Sequence, residues 1–116
     1  MFAAYVVVAV LTAAANTSVA ALDFRRSEWV LGNMATVGVS HSWLLPLGAL
    51  KAAGALGLLI GIGVPPIAVA ASVGLVLFFV GAVVTHVRTH EYATILYPGM
   101  FLLLAIGSLV LRLASW

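Results

Sequence analysis

Four long apolar runs, separated by two polar segments and one tight turn, dominate the sequence. The runs cover residues 1–22, 44–63, 66–87 and 95–114. Each has roughly the 20 residues that a helix needs to cross the hydrocarbon core of a membrane. The pattern therefore predicts an all-α fold, an integral membrane bundle of four transmembrane helices that forms a single domain.

The polar segment between the first two runs could form a short amphipathic helix. The apolar face of this helix would consist of Trp29, Val30, Met34 and Val37. Ser27 is a suitable N-cap, and Gly38 is a suitable stop at the other end. Such a helix would lie in the headgroup layer, with Trp29 and Trp43 in the aromatic belt. An irregular connecting loop fits the same residues equally well.

The composition requires a membrane environment. Of the 116 residues, 65% are hydrophobic and 7% are charged, whereas soluble domains are roughly 45–50% apolar and about 25% charged. A chain of this size could not hide so much apolar surface in water. The net charge of +2 is too small to indicate a nucleic-acid partner. The chain has no cysteine, which excludes disulfides and thiolate metal sites within it.

The first run is expected to remain as a membrane span. Ser18-Val19-Ala20 resembles the small-residue end of a cleavable signal peptide, but no basic segment precedes the run. Four spans would place both termini on one side of the membrane and both polar segments on the other. Basic residues mark the cytoplasmic side. Because Arg25, Arg26 and Arg88 lie in the polar segments, the termini are expected outside.

Small residues recur at helical spacing in the second and third runs. They include Gly54, Gly57 and Gly61 in the second run, and Ala70, Gly74, Gly81 and Thr85, with Leu77 between them, in the third. Small residues let helix backbones approach closely in lipid, where close packing holds helices together. We expect both stripes to be helix-packing seams. Four spans need fewer seams than this, which suggests contact with other membrane subunits or with a second copy of the chain.

Most groups able to do chemistry fall at one end of the predicted bundle. Lys51 lies inside the second span and Asn16 near the end of the first, at matching depths of ~10 Å if each residue rises about 1.5 Å. His86 belongs to the same end, near the close of the third span. Asp23, Glu28, His41, His90, Glu91, Tyr92 and Tyr97 all fall on the polar segments there.

Lys51 is the most specific candidate, because an unpaired charge in hydrocarbon is costly. We predict that its ammonium group faces the bundle interior and bonds to Asn16, with Asp23, Glu28 or Glu91 as ion-pair partner. The adjacent glycine face favours this orientation, since another helix must come close there. The alternative is snorkelling, in which the lysine stem packs on lipid and the ammonium reaches the headgroups.

The spacing of the polar residues indicates neither a catalytic site nor a metal site. We recognise no nucleophile–base pair, phosphate loop or carboxylate pair. His86 and His90 are four apart, with Glu91 adjacent, but no third ligand is spaced convincingly, so structural histidines are expected. Proton or ion transport through Lys51 and His86 would need polar groups across the whole membrane, and the outer half offers only Ser72 and scattered hydroxyls.

Three blocks of the chain resemble the DoxX-like family of small four-span membrane proteins. They are Asn33-Met34 followed by Gly38-Val39, then residues 46–62, then residues 78–88. The resemblance implies a multi-pass protein of the bacterial inner (plasma) membrane. The family name is associated with quinol oxidase and thiosulfate:quinone oxidoreductase systems. The resemblance supplies no catalytic set, and Ser40 stands where many relatives have proline.

Two functional hypotheses follow. The first is a non-enzymatic accessory subunit in a larger membrane complex, favoured by the glycine seams and the missing catalytic groups. The second is a binding site for a small quinone-like lipophile that supports a redox system. Quinone carbonyls need hydrogen-bond donors at headgroup depth, beneath an apolar slot. The residues that would form this site are Lys51, Asn16, His86, Tyr97, Phe78 and Phe79; no cofactor other than a quinone is expected.

Overall fold

The computed structural model describes residues 1–26, 28–92 and 95–116, and every regular element in them is helical. The helices are α1 (Phe2–Phe24), α2 (Glu28–Thr36), α3 (Leu44–Ile60), α4 (Pro65–Arg88) and α5 (Leu96–Ala114), with a 3₁₀ turn at His41–Trp43. The described residues contain no strand, and the all-α prediction is confirmed. The expected cap at Ser27 lies outside the described residues.

Three of the long helices meet the length and hydropathy required to cross a membrane. Within the described residues, α1 has 23 residues, α4 has 24 and α5 has 19. Helix α3 is equally apolar but has only 17 residues, about 26 Å at ~1.5 Å per residue. It ends before the predicted limit at residue 63, because a turn at residues 61–63 must lead into the prolines that begin α4. The membrane assignment is confirmed, while α3 as a fourth span stays a prediction.

The four long helices pack side by side, each against two neighbours. Helix α1 contacts α3 and α5, and α4 contacts the same two helices. At the centre lie Tyr5, Ala9, Leu58, Ala68, Leu75, Phe79 and Ala105. The Tyr5 hydroxyl donates a hydrogen bond to the Leu58 carbonyl over 3.0 Å. This bond joins the start of α1 to the end of α3, so the two helices run in opposite directions.

Two glycines in the second half of α3 and a third just beyond its end pack directly on α4. The contacts are Gly54 on Leu75, Gly57 on Ala71 and Gly61 on Ala68. A Cβ at Gly57 would lie 2.7 Å from the Ala71 Cβ, and one at Gly61 would overlap the backbone of Ala68. Side chains larger than hydrogen would therefore force the two helices apart. The glycine stripe of α3 is a packing seam within the bundle.

The first part of the small-residue stripe of α4 instead faces outward. Ala70 is exposed, Leu77 is 67% exposed, and a Cβ added at Gly74 would meet nothing within 4 Å in the described chain. Gly81 and Thr85, in the last part of the stripe, line a cavity at the end of the bundle. The opposite side of α4 turns inward, with Ala68, Ser72, Leu75, Phe79 and His86 buried. The expectation that the stripe at Gly74 and Gly81 packs helices is therefore wrong within this chain. A seam there would need another molecule.

The segment between α1 and α3 forms the short helix predicted from its apolar spacing. Val30, Met34 and Val37 are buried, as the amphipathic pattern requires. Gly38 ends the helix with a φ of 73°, a left-handed conformation that glycine adopts without strain. The next N–H, that of Val39, donates to the Met34 carbonyl over 2.9 Å. This bond satisfies a carbonyl that the end of the helix would otherwise leave free.

Candidate functional site

A buried ion pair joins the end of α1 to the first half of α3. Lys51 Nζ lies 3.0 Å from Asp23 Oδ2. Asp23 is 1% exposed and Lys51 is 6% exposed. Side chains in a helix tilt toward its N-terminus, so the lysine extends back along α3 to reach the carboxylate. Lys51 therefore faces the bundle interior and is paired, as predicted from the sequence, with one of the three expected carboxylates.

Gly48 provides the space in which this ion pair forms. It precedes Lys51 by almost one helical turn and lies on the same side of α3. A Cβ at Gly48 would lie 2.9 Å from the Asp23 Cβ and 3.3 Å from Asp23 Oδ2. This role was not predicted, although the three-residue spacing between Gly48 and Lys51 is visible in the sequence.

Asn16 is buried but does not bond to Lys51, so that part of the prediction is wrong. The Asn16 Nδ2 donates to the Thr12 carbonyl over 2.9 Å. Its Oδ1 is buried and has no partner among the described residues. The lysine side chain extends toward the start of α3, where its ammonium group meets Asp23 and not Asn16. Asn16 instead adjoins Thr12, whose Oγ1 lies 3.2 Å from Ser108 Oγ on α5.

His86 brings another buried polar group to the same end of the bundle. Its Nδ1 lies 2.8 Å from the Ala82 carbonyl. A carbonyl can only accept, so Nδ1 carries a proton, and Nε2 is the acceptor atom of this Nδ1–H tautomer. Within the described chain, His86 Nε2 and Asp23 Oδ1 are both buried without a hydrogen-bond partner. Buried polar atoms normally have one, so two acceptors remain unsatisfied here.

Aromatic rings form a continuous series from α2 to the ion pair. The ring centres are 5.4 Å apart for Trp29–Tyr97, 4.8 Å for Tyr97–Phe101, 5.3 Å for Phe101–Phe79 and 4.9 Å for Phe79–Phe78. Lys51 Nζ lies 5.4 Å from the centre of the Phe78 ring. This distance is within the range in which a ring face attracts a cation. The ammonium group therefore contacts a carboxylate and an aromatic ring.

These groups surround a cavity of about 460 Å³ between α2 and the ends of the long helices. Five of the six predicted ligand residues line it: Lys51, His86, Tyr97, Phe78 and Phe79. Asp23 lines the cavity as well, whereas Asn16 is not part of its wall. The volume falls within the roughly 300–1,000 Å³ of small-molecule sites. The arrangement can hold a flat apolar molecule that carries one or two polar groups.

The sequence profile of the DoxX-like family matches residues 7–108. This match covers most of the chain and includes the ion pair and the whole cavity wall. The chain belongs to the DoxX-like family. It matches no curated protein and no solved structure.

In this DoxX-like protein, α2 closes one side of the cavity. All four residues of its predicted apolar face line the wall: Trp29, Val30, Met34 and Val37. Trp29 is also 50% exposed and Trp43 58% exposed, so both tryptophans have a second side outside the cavity. The sequence pattern predicted that this apolar face lies in the headgroup layer, whereas the structure places it in the cavity wall. Amphipathic spacing alone cannot separate the two arrangements, because lipid and a cavity both favour an apolar face.

The histidine pair of the DoxX-like protein does not share a helix face. His86 lies in the last turn of α4, whereas His90 lies beyond the end of the helix with a φ of 56°. His90 Nδ1 lies 3.2 Å from the Tyr92 hydroxyl at the surface. In the part of the chain that the structure describes, no group of three or more His, Asp or Glu residues is placed to hold a metal ion.

A buried arginine lies at the opposite end of the DoxX-like bundle. Arg112 is 4% exposed, and its guanidinium carbon lies 5.4 Å from the Phe2 ring centre and 5.1 Å from that of Tyr5. Its Nη1 donates to the Ser115 hydroxyl over 3.2 Å. These contacts hold the start of α1 against the end of α5. They are remote from the cavity and stabilise the bundle.

Proposed function

We propose that this DoxX-like protein binds a small aromatic lipophile of the quinone class in the cavity beside α2. The observation that carries the proposal is the position of the buried Lys51–Asp23 ion pair, which lies in an otherwise apolar and aromatic wall. Ligand sites are commonly apolar cavities in which a few polar groups converge. The ion pair and His86 are such groups.

The chemistry of a quinone-type ring matches the groups in the wall. Aromatic rings pair favourably when their centres are about 4.5–7 Å apart, and the rings of Trp29, Tyr97 and Phe78 line the cavity. The Lys51 ammonium has three N–H donors. One of them serves Asp23, which leaves donors for an oxygen of the ligand. The remaining wall is mostly apolar and suits a molecule that arrives from the lipid.

Stability alone does not require this ion pair. Replacing a buried pair by apolar residues of similar volume is often neutral or stabilising, because both charges must be removed from water. A bundle of apolar helices could close the same space with leucine. A buried charge pair beside a cavity therefore supports a binding role more than a structural one.

The proposal can be tested by tryptophan fluorescence in lipid nanodiscs. The chain has three tryptophans, and Trp43→Phe with Trp116→Phe leaves Trp29 in the cavity wall as the reporter. Decylubiquinone should quench this reporter saturably and raise the melting temperature of the protein. The same titration without saturation, and with no change in melting temperature, would contradict the proposal.

Replacing either of two alanines on α4 by leucine tests whether the ligand binds in this cavity. Ala82 lines the cavity, so Ala82→Leu should fill it and abolish saturable quenching. Ala70 lies on the exposed face of the same helix, so Ala70→Leu is the matched control and should bind as the unmodified reporter does. Equal loss in both variants, or in neither, would contradict binding in this cavity.

A second candidate function is that of an accessory subunit in a larger membrane complex, and it rests on the exposed face of α4. Ala70 and Gly74 have small or no side chains on that face, which would let another transmembrane helix approach closely. Because the chain lacks cysteine, a single Gly74→Cys variant gives an unambiguous cross-linking site on this face. Cross-linking in native membranes to one membrane protein or to a second copy would support this function. A protein that stays uncross-linked would contradict it. Neither candidate function requires a catalytic step.

A further inference from the structure

The unsatisfied acceptors of the cavity wall give the site a chemical preference, and this preference rests on the proposed function. We infer that the site selects the hydroxyl-bearing, reduced form of its ligand, a quinol or related dihydroxybenzene, over the dicarbonyl quinone. The observation is that Asp23 Oδ1 and His86 Nε2 are buried without partners in the described chain. Both residues line the cavity.

Asp23 presents one satisfied and one unsatisfied oxygen. Its Oδ2 accepts from the Lys51 ammonium over 3.0 Å, whereas Oδ1 is the buried atom without a partner. An ionised carboxylate can only accept hydrogen bonds. The salt bridge to Lys51 pairs this carboxylate with an ammonium group. A ligand that forms a hydrogen bond with Oδ1 must therefore carry an O–H or N–H donor.

His86 imposes the same requirement from α4. The Ala82 carbonyl, 2.8 Å away, holds the proton on Nδ1. In this Nδ1–H tautomer, Nε2 has a lone pair and no hydrogen. The two unsatisfied atoms come from α1 and α4, so they lie on different helices around one cavity. A dihydroxybenzene carries two donors, one for each acceptor.

Lys51 does not reverse this preference. A phenolic hydroxyl both donates and accepts, so one hydroxyl can accept from the Lys51 ammonium while it donates to the Asp23 carboxylate. A quinone carbonyl can accept from Lys51 but cannot donate to Asp23 or His86. It would leave both buried acceptors unsatisfied, and an unmade hydrogen bond at a buried group is costly.

The test compares decylubiquinol with decylubiquinone under anaerobic conditions, by quenching of the Trp29 reporter in nanodiscs. A hydrogen bond to a charged group contributes enough to favour the quinol by about tenfold or more in Kd. Equal Kd values for the two forms, or tighter binding of the quinone, would overturn this inference and leave the proposed function intact. Failure of both forms to bind would overturn the proposed function itself.

Two variants address the acceptors separately. In Asp23→Asn, the amide oxygen can keep the Lys51 contact while the amide nitrogen takes the place of Oδ1. This exchange turns an acceptor into a donor, so the quinol preference should fall about tenfold and shift toward the quinone. His86→Phe removes the second acceptor without disturbing the ion pair and should also reduce the preference. His90→Asn, at the surface near the same end, should leave the ratio of the two Kd values unchanged. An unchanged ratio in both site variants would overturn the inference.

Discussion

Lys51 and Asp23 lie on helices that run in opposite directions, and their charged atoms are 3.0 Å apart. Both side chains are almost completely buried. Removing one partner leaves an uncompensated charge in the interior, whereas removing both leaves none. The stability of single and double variants should therefore differ in a characteristic way.

Lys51→Met should lower the free energy of unfolding by about 3–5 kcal/mol, the usual cost of breaking a buried ion pair from one side. The double variant Lys51→Met with Asp23→Leu should recover most of this loss. Unfolding in mixed detergent micelles measures the difference. Arg88→Met removes an exposed cation at the same end of the bundle and should cost less than about 1 kcal/mol. A double variant with the summed losses of the two single variants would count against a direct pair.

Gly48→Ala should weaken the same ion pair without removing either charge. The new Cβ would lie 2.9 Å from the Asp23 Cβ, so α1 and α3 must separate or the carboxylate must move. We expect a loss of about 1–3 kcal/mol, typical of overpacking, together with weaker quenching of the Trp29 reporter. Gly107→Ala is the matched control, because its Cβ would lie at an ordinary 3.6 Å from Val8 Cγ1. Equal effects of the two substitutions would contradict this role of Gly48.

Gly61→Ala should destabilise the bundle through the seam between α3 and α4. The φ of Gly61 is −64°, which alanine adopts without strain, so any loss comes from the overlap with Ala68. We expect at least about 1 kcal/mol. Gly74→Ala should be neutral or slightly stabilising, because nothing in the described chain lies within 4 Å of the added carbon and alanine favours helix. Thermal unfolding of both variants compares the two faces, and a larger loss at Gly74 would contradict the observed packing.

Tyr5→Phe should cost about 1 kcal/mol of stability, since it removes the hydroxyl that bonds to the Leu58 carbonyl. The ring that lies 5.1 Å from the Arg112 guanidinium carbon is retained. Because this contact is at the opposite end of the bundle, the Kd for decylubiquinone should not change. A changed Kd at unchanged stability would indicate that the two ends are coupled.

The sequence was sufficient for the helical class and the inward orientation of Lys51. The length of the apolar runs indicated membrane-spanning helices. The glycine face beside Lys51 indicated its orientation, because a buried charge needs a partner. The seam at Gly54, Gly57 and Gly61 followed from the same glycine pattern. The outward direction of Gly74 could not be predicted, since small residues suit any close contact and spacing does not name the partner.

The sequence predicted most of the residues of the candidate site, but it did not predict all of their contacts. Asn16 was paired with Lys51 by backbone depth alone, which ignores how far a lysine side chain extends along its helix. Gly48 was missed because its role depends on the position of Asp23 on another helix. The part of α2 in the cavity wall could not be deduced either, because an amphipathic face fits lipid and cavity alike.

The binding titration of the stable double variant tests the central claim most directly. In the Trp29 reporter background, Lys51→Met with Asp23→Leu should remain folded, because no unpaired charge is left. The account predicts that this variant loses saturable quenching by decylubiquinone and decylubiquinol, while the reporter with the intact pair retains it. Saturable binding of equal Kd in the two proteins would contradict the claim that the Lys51–Asp23 pair forms the polar centre of a ligand site.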